Sequence, residues 1–238
     1  TSVSIALSGS DVDGDVLTFT SFSEPTNGIL EISGSYATYT PNDYFNGDDS
    51  FTFAVSDGQE SDTATVTLTV TAVNDAPVLA EVLDIAFDED GTGSTDLSAT
   101  DIDGDDLTYS ITDGTDISAI LDEDTNTVSF SAPENYNGSE NFTITVSDGD
   151  LIDTQVITVT INAVNDTPIA TTGITGTTPE GTSVSIALSG SDVDGDVLTF
   201  TSFSEPTNGT LEISGSYATY TPNDYFNGDD SFTFAVSD

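Results

Sequence analysis

Apolar residues alternate with threonine and serine along much of the chain. In Thr65-Val66-Thr67-Leu68-Thr69-Val70 the period of two is unbroken. Successive side chains of an extended strand point to opposite faces, so this pattern predicts half-buried strands. It predicts long strands at Ser50–Val55 and Ala64–Val73 and shorter ones near Leu83–Phe87 and Leu107–Ile111. A hairpin is expected from Leu30–Ser33, a Gly34-Ser35 turn and Tyr36–Thr40. Pro25-Thr26-Asn27-Gly28 and Asn46-Gly47 are turn signals, because proline presets φ and glycine accepts left-handed backbone. About seven short strands in roughly 90 residues is the pattern of an immunoglobulin-like sandwich. Helix content is expected to be negligible. Phe19, Tyr39, Phe51 and Phe53 are expected in the core, not in a sugar-stacking platform.

The pattern repeats almost literally. Residues 1–57 reappear as 182–238 with one change, Ile29 against Thr210. Ala72-Val73-Asn74-Asp75-Ala76-Pro77 matches Ala163-Val164-Asn165-Asp166-Thr167-Pro168, and Val55-Ser56-Asp57-Gly58 matches Val146-Ser147-Asp148-Gly149. Asp11-Val12-Asp13-Gly14-Asp15 returns at Asp101–Asp105 and at Asp192–Asp196. These spacings predict three units: 1–77 with its first strand missing, a complete 78–168, and 169–238 with its last strand missing. The window then reads as an excerpt of a longer array. Asn74–Pro77 leaves almost no linker, so neighbouring units are expected end to end.

Charge narrows the chemistry. There are 43 aspartates and glutamates and no lysine, arginine or histidine, a formal charge of −43. No internal ion pair can form, so close carboxylates must be neutralised from outside. High acidity by itself suggests disorder or a halophile surface. The 13 Phe, 8 Tyr and strict alternation argue for a folded chain, and the fixed spacing of the acids goes beyond a halophile surface. Without cations the chain is unsuited to nucleic acid or to anionic membranes. No apolar run approaches the roughly 20 residues that span a bilayer. The usual general bases and thiol nucleophiles are missing, and no enzyme activity is expected. Absent cysteine excludes disulfides and thiolate metal sites. The donors that remain are oxygens, which suit hard divalent cations, calcium above all.

The acids fall in an ordered set. Asp101-x-Asp103 opens the top of the middle unit, Asp148 ends a long strand returning to that top, and Asn74-Asp75 lies in the linker before it. The series Ala99-Thr100-Asp101-Ile102-Asp103-Gly104, Ala54-Val55-Ser56-Asp57-Gly58 and Val73-Asn74-Asp75-Ala76-Pro77 resembles the cadherin repeat. It is more similar still to the cadherin-like tandem repeats of large bacterial surface adhesins of the RTX and Bap type. The resemblance covers the whole window. It implies an all-β fold of tandem immunoglobulin-like, Greek-key sandwiches in a linear array, with calcium between successive units. The implied ligands are Asn74, Asp75, Asp101, Asp103 and Asp148 at the first joint. At the second they are Asn165, Asp166, Asp192, Asp194 and Asp238, with Glu89 reaching in from the middle unit. Asp43 and Glu134 hold an equivalent place at the base of their units and are further candidates. Asp11, Asp13 and Asp57 would face a preceding unit. The linker departs from the family at Ala72, Ala76 and Thr167 and is one residue shorter, which favours one or two ions per joint.

Several motifs have plainer readings. An isolated Asp-Gly is commonly a turn. Asp-x-Asp-Gly-Asp resembles an EF-hand start but lacks the helices and the closing glutamate. Asp48, Asp49, Asp62, Asp150 and Asp153 are expected on the solvated surface. Asn137-Gly138-Ser139, Asn141-Phe142-Thr143 and Asn208-Gly209-Thr210 match the glycosylation pattern, which Asn-Gly turns also produce by chance. The resemblance implies a calcium-binding, extracellular stalk segment at a bacterial cell surface, as in biofilm adhesins, with the neighbouring repeats as partners. The alternatives are a self-assembling filament of identical chains and a glycan- or protein-binding sandwich.

Overall fold

The computed structural model describes residues 1–238 and contains strands and turns but no helix. The first stretch forms β1 (Val3–Ala6), β2 (Thr18–Ser23), β3 (Gly28–Ser33), β4 (Tyr36–Pro41), β5 (Gly47–Ser56) and β6 (Ser61–Val70). The middle stretch forms β7 (Val78–Leu79), β8 (Ile85–Asp88), β9 (Gly93–Asp96), β10 (Ala99–Thr100) and β11 (Thr108–Ile111). It continues with β12 (Ser118–Asp122), β13 (Thr127–Ser131), β14 (Gly138–Ser147) and β15 (Ile152–Asn162). The last forms β16 (Ile169–Ala170), β17 (Val184–Ala187), β18 (Gly190–Ser191), β19 (Thr199–Ser204), β20 (Gly209–Ser214), β21 (Tyr217–Pro222) and β22 (Thr233–Ser237).

The chain divides into two compact units. One comprises Thr1–Val82, Leu97–Ile111 and Thr143–Gln155; the other comprises Leu83–Asp96, Thr112–Phe142 and Val156–Asp238. In the first unit, sheet β1-β4-β3 faces sheet β2-β5-β6. The β3–β4 hairpin closes at Gly34, whose φ of 61° is left-handed. Alternation supplies the core from both sheets: Ile5, Leu30, Ile32 and Ala37 from one, Phe19, Phe51, Phe53, Val66 and Leu68 from the other. Phe51 is 1% exposed and Tyr39 also 1%. Burying such a side chain contributes about 1.5–3 kcal/mol. In the second unit, Phe130 of β13 and Phe142 of β14 meet edge to face at 5.3 Å, and Val128, Ile157 and Val159 are fully enclosed around that phase of the strands.

Two strand expectations need correction. The alternation through Val73 continues past the strand, because β6 loses its partner after Val70 pairs with Gly47. The strand expected near Leu83–Phe87 is present as β8, but it is not the first of its repeat, because the short β7 precedes it. β7 pairs antiparallel with β10 in one unit, and β8 pairs parallel with β15 in the other. Side chains hold the intervening backbone: Asp153 accepts from the Leu79 N–H at 2.9 Å, and Gln155 accepts from Val82 N–H while donating to Val82 C=O. In the other unit, Asp84 accepts from the Thr158 N–H at 2.7 Å. Asp153, expected at the solvated surface, therefore has a structural contact.

Asp49 is the larger correction. It is buried, and its carboxylate accepts from the backbone N–H of Thr26 (3.0 Å), Asn27 (2.8 Å) and Ser50 (2.8 Å) and from the Tyr39 hydroxyl (3.0 Å). Burial would raise its pKa. Those four donors outweigh burial and hold it below the usual value. Asp230 repeats the arrangement with Thr207, Asn208, Ser231 and Tyr220. In the middle repeat Phe130 stands where the outer repeats have tyrosine, and the longer Glu140 accepts from the Thr115 and Asp116 N–H groups, each at 2.8 Å.

Candidate metal centres

The loop after β10 begins with Asp101, whose Oδ1 accepts from the N–H of Asp103, Gly104 and Asp105 at 2.9, 3.0 and 3.3 Å. Gly104 has a φ of +82°, a left-handed turn that only glycine takes without cost. The loop folds back on itself there, and one carboxylate oxygen from each of Asp101, Asp103 and Asp105 lies within 4.8 Å of the others. Asp103 also reaches the linker, where its Oδ2 accepts from the Asp75 N–H at 2.8 Å. Asn74 donates from Nδ2 to Asp148 Oδ2 at 2.9 Å. All five residues expected at the first joint are thus tied into one network within one compact unit.

The second set is built likewise inside the other unit. Asp192, Asp194 and Asp196 form the same three-carboxylate loop, with Gly195 at φ +80°. Asp194 Oδ2 accepts from the Asp166 N–H at 2.8 Å, and Asn165 donates to Asp238 at 2.7 Å. Glu89 is buried and accepts from the Val164 N–H, which fixes it against the linker.

The electrostatics of both sets are unfavourable as they stand. Burial, then repulsion from Asp101, Asp103, Asp148 and Asp106, raises the pKa of Asp105. Burial, then Asp194, Asp90, Glu89 and Asp192, does the same to Asp166. Asp148 is held low, first by the Leu151 N–H, with Asp150 N–H and the Asn74 amide adding to it against burial. Oδ2 of Asp101, Asp166 and Asp192 are each enclosed without a hydrogen-bond donor. An enclosed, unpaired carboxylate oxygen is costly, and this chain has no cationic side chain to meet it. A calcium ion takes oxygens at about 2.3–2.6 Å, so two ligands on one ion lie at most roughly 5 Å apart. The 4.8 Å span of each trio meets that limit. The donor set is all oxygen, as a hard cation requires.

Other expected residues fall outside these networks. Asp13 accepts nothing from a linker; its own N–H and that of Asp15 donate to Asp11, and Asp57 accepts from Gln59 and Glu60. Val12, between Asp11 and Asp13, is fully exposed, whereas its sequence twin Val193 is 57% exposed. Asp43 is exposed on a groove shared with Tyr44, Asn46, Asp75 and Asp103. Glu134 is exposed, and it is the next residue, Asn135, that donates its N–H to Asp90 at 3.0 Å. The sequence reading did not assign Asp105, Asp196 or Asp90. The first two stood in the motif at the spacing i, i+2, i+4. Asp90 carried no signal, since only the folded chain brings it to Asp166.

Comparison with known proteins bears on the fold. The chain aligns with the protocadherin γB4 extracellular domain at 19% identity and a TM-score of 0.54, over 95% of this chain and 41% of that one. It aligns with PcdhgB3 EC1-4 at 12% identity and a TM-score of 0.52, over 100% of this chain and 70% of that one. An endo-fucoidan hydrolase of glycoside hydrolase family 107 aligns at 23% identity over 100% of this chain and 39% of that one. Its TM-score of 0.34 is too low to bear on activity. The chain thus spans about two fifths of the hydrolase and of the γB4 chain. No curated protein matches it. No helix is long and apolar enough to cross a membrane. The sequence matches the bacterial Ig domain over residues 1–69, 74–160 and 165–238, and the chain belongs to that family as a tandem, all-β array.

Proposed function

We propose that this chain is a calcium-stiffened spacer in an extracellular bacterial surface protein of the adhesin kind. Its repeats run 1–77, 78–168 and 169–238. The reading rests on one observation above others. In each compact unit an Asn-Asp linker docks on a three-carboxylate loop that encloses an unpartnered oxygen, in a chain without cations. The first set would hold calcium through Asn74, Asp75, Asp101, Asp103, Asp105 and Asp148. The second would use Glu89, Asn165, Asp166, Asp192, Asp194, Asp196 and Asp238. Calcium would supply the positive charge that each set lacks.

The protein's own part is placement. The Asp75 and Asp166 N–H groups draw Asp103 and Asp194 to the linker, and Gly104 and Gly195 turn the third carboxylate inward. Near-identical repeats suit a length-setting role in which each unit touches only its neighbours. External calcium is plentiful, so affinities of about 10⁻⁴–10⁻³ M suffice.

Titration calorimetry with calcium, paired with small-angle scattering in calcium and in chelator at fixed ionic strength, tests this. Expected are binding that saturates with the two linker sets, a longer maximum dimension with calcium, and poor replacement by magnesium. A tenfold excess of calcium over its Kd adds about 1.4 kcal/mol per site. Identical scattering and melting in both buffers would refute the stiffening role.

A further inference from the structure

Five Asn-Gly steps occur in the sequence, and the fold treats them differently. Asn27 is locked. Its N–H donates to Asp49, while its C=O accepts from the Asn42 N–H at 2.8 Å and from the Tyr39 hydroxyl at 3.3 Å. Gly28 opens β3 beneath the Tyr39 ring, where a Cβ would lie 2.6 Å from the Thr40 carbonyl oxygen. Asn208-Gly209 is held in the same way by Asp230, Asn223 and Tyr220. Asn46 and Asn227 are exposed at the ends of loops; Gly47 forms the terminal pair of β5, opposite Val70, whereas Gly228 lies outside any strand. Gly47 and Gly228 have φ of 122° and 130°, and a Cβ there would meet nothing closer than a phenylalanine ring at about 3.8 Å. The fifth step, Asn137-Gly138, is intermediate, because Gly138 packs against the Tyr136 hydroxyl.

We propose that Asn46 and Asn227 are sites of spontaneous deamidation with water as co-reactant, and that the fold protects Asn27 and Asn208. The backbone nitrogen of Gly47 loses its proton to base and attacks Cγ of Asn46. A new C–N bond closes a five-membered succinimide as the bond to the side-chain nitrogen breaks, and ammonia leaves with the added proton. Water then opens the ring at either carbonyl, giving aspartate or isoaspartate, with nothing oxidised or reduced. Glycine permits the attack because no Cβ hinders rotation of its nitrogen towards Cγ. At Asn27 the same rotation requires breaking the bonds to Asp49, Asn42 and Tyr39. It therefore proceeds only through local opening.

The consequence is electrostatic. Each reacted residue adds a negative charge to a chain that has no cation, and at Asn46 it does so on the wall shared with Asp43, Asp75 and Asp103. The reaction itself does not depend on calcium binding, so its test stands apart from the spacer reading.

The whole chain is aged in mildly alkaline buffer, then cut with an aspartate-directed protease, since trypsin has no site. Each Asn-Gly step is followed by mass and by isoaspartate-specific fragmentation. Asn46 and Asn227 are expected to react at least about tenfold faster than Asn27 and Asn208, the ratio that an opening cost of about 1.4 kcal/mol gives. In denaturant the four rates are expected to converge. Asn46→Gln should remove only the signal at that position, because glutamine would need a less favourable six-membered ring. Equal rates in the folded chain would overturn the proposal. So would a difference that persists after unfolding, because the dipeptides' local sequence would then be its cause.

Discussion

Replacing Asp49 with alanine removes one carboxylate that meets four donors. Thr26 and Ser50 are exposed, so water can replace their bonds. Asn27 is half-buried, so its N–H loses its partner inside the protein, whereas the enclosed Tyr39 hydroxyl can still donate to the Asn27 C=O at 3.3 Å. A donor left unsatisfied inside the protein costs about 1–3 kcal/mol, which sets the scale of the expected loss. A small domain holds only about 5–15 kcal/mol. Asp49→Ala should therefore markedly lower the midpoint of the first repeat's urea transition, with little change in the third. The control is Asp48→Ala, one residue away, which loses a single exposed bond from Thr69 at 2.9 Å. Its expected cost is within about 0.5 kcal/mol. Amide exchange at Thr26 and Asn27 should accelerate only in the Asp49 variant. Equal costs for the two aspartate variants would refute the reasoning.

Asp49 and Glu140 both have depressed pKa values in the fold. Their contribution is complete above the unfolded values of 3.8 and 4.5 and is lost as pH falls through the lower folded values. Acid titrations of Asp49→Asn and Glu140→Gln should accordingly show a shallower acid limb than the parent. Tyr39 works in the opposite direction. Burial first, then the bond to Asp49, pushes its pKa up to about 12, so its contribution is lost as pH rises from about 10 towards that value. Its phenolate absorbance should therefore appear only as pH approaches 12, and Tyr39→Phe should remove that late step; ionisation of Tyr39 already near 10 in the folded protein would contradict this. Gln155→Ala leaves Val82 N–H and C=O without their side-chain partner and should cost about 1–3 kcal/mol, with faster exchange at the Val82 amide as its marker. For calcium, Asp103→Ala should remove one binding event from the isotherm. Asp13→Ala should leave the isotherm unchanged, because no linker docks on Asp13.

Much of the fold follows from short-range rules. Alternation located the strands, glycine and proline placed the turns, and literal repetition announced the tandem units. The Asp-x-Asp-Gly-Asp loops were visible as carboxylate sites because their geometry is local: three oxygens, five residues and one left-handed glycine. Asp49 was also legible in principle. It lies two and four residues before Phe51 and Phe53, on the inward phase of the same strand, while Asp48 lies on the outward phase.

Other features depended on contacts that no local pattern encodes. Gly228–Ser237 has the same sequence as Gly47–Ser56, yet the first forms a strand only over Thr233–Ser237 and the second over all ten residues. β5 has β6 along its whole length, whereas β22 pairs only with β19. Likewise Asp13 and Asp194 share their neighbours in sequence, but only Asp194 receives a linker N–H. A period of two decides which face a side chain takes. Whether a backbone group or a carboxylate finds its partner is decided by distant segments, through pairings that exist only in the folded chain.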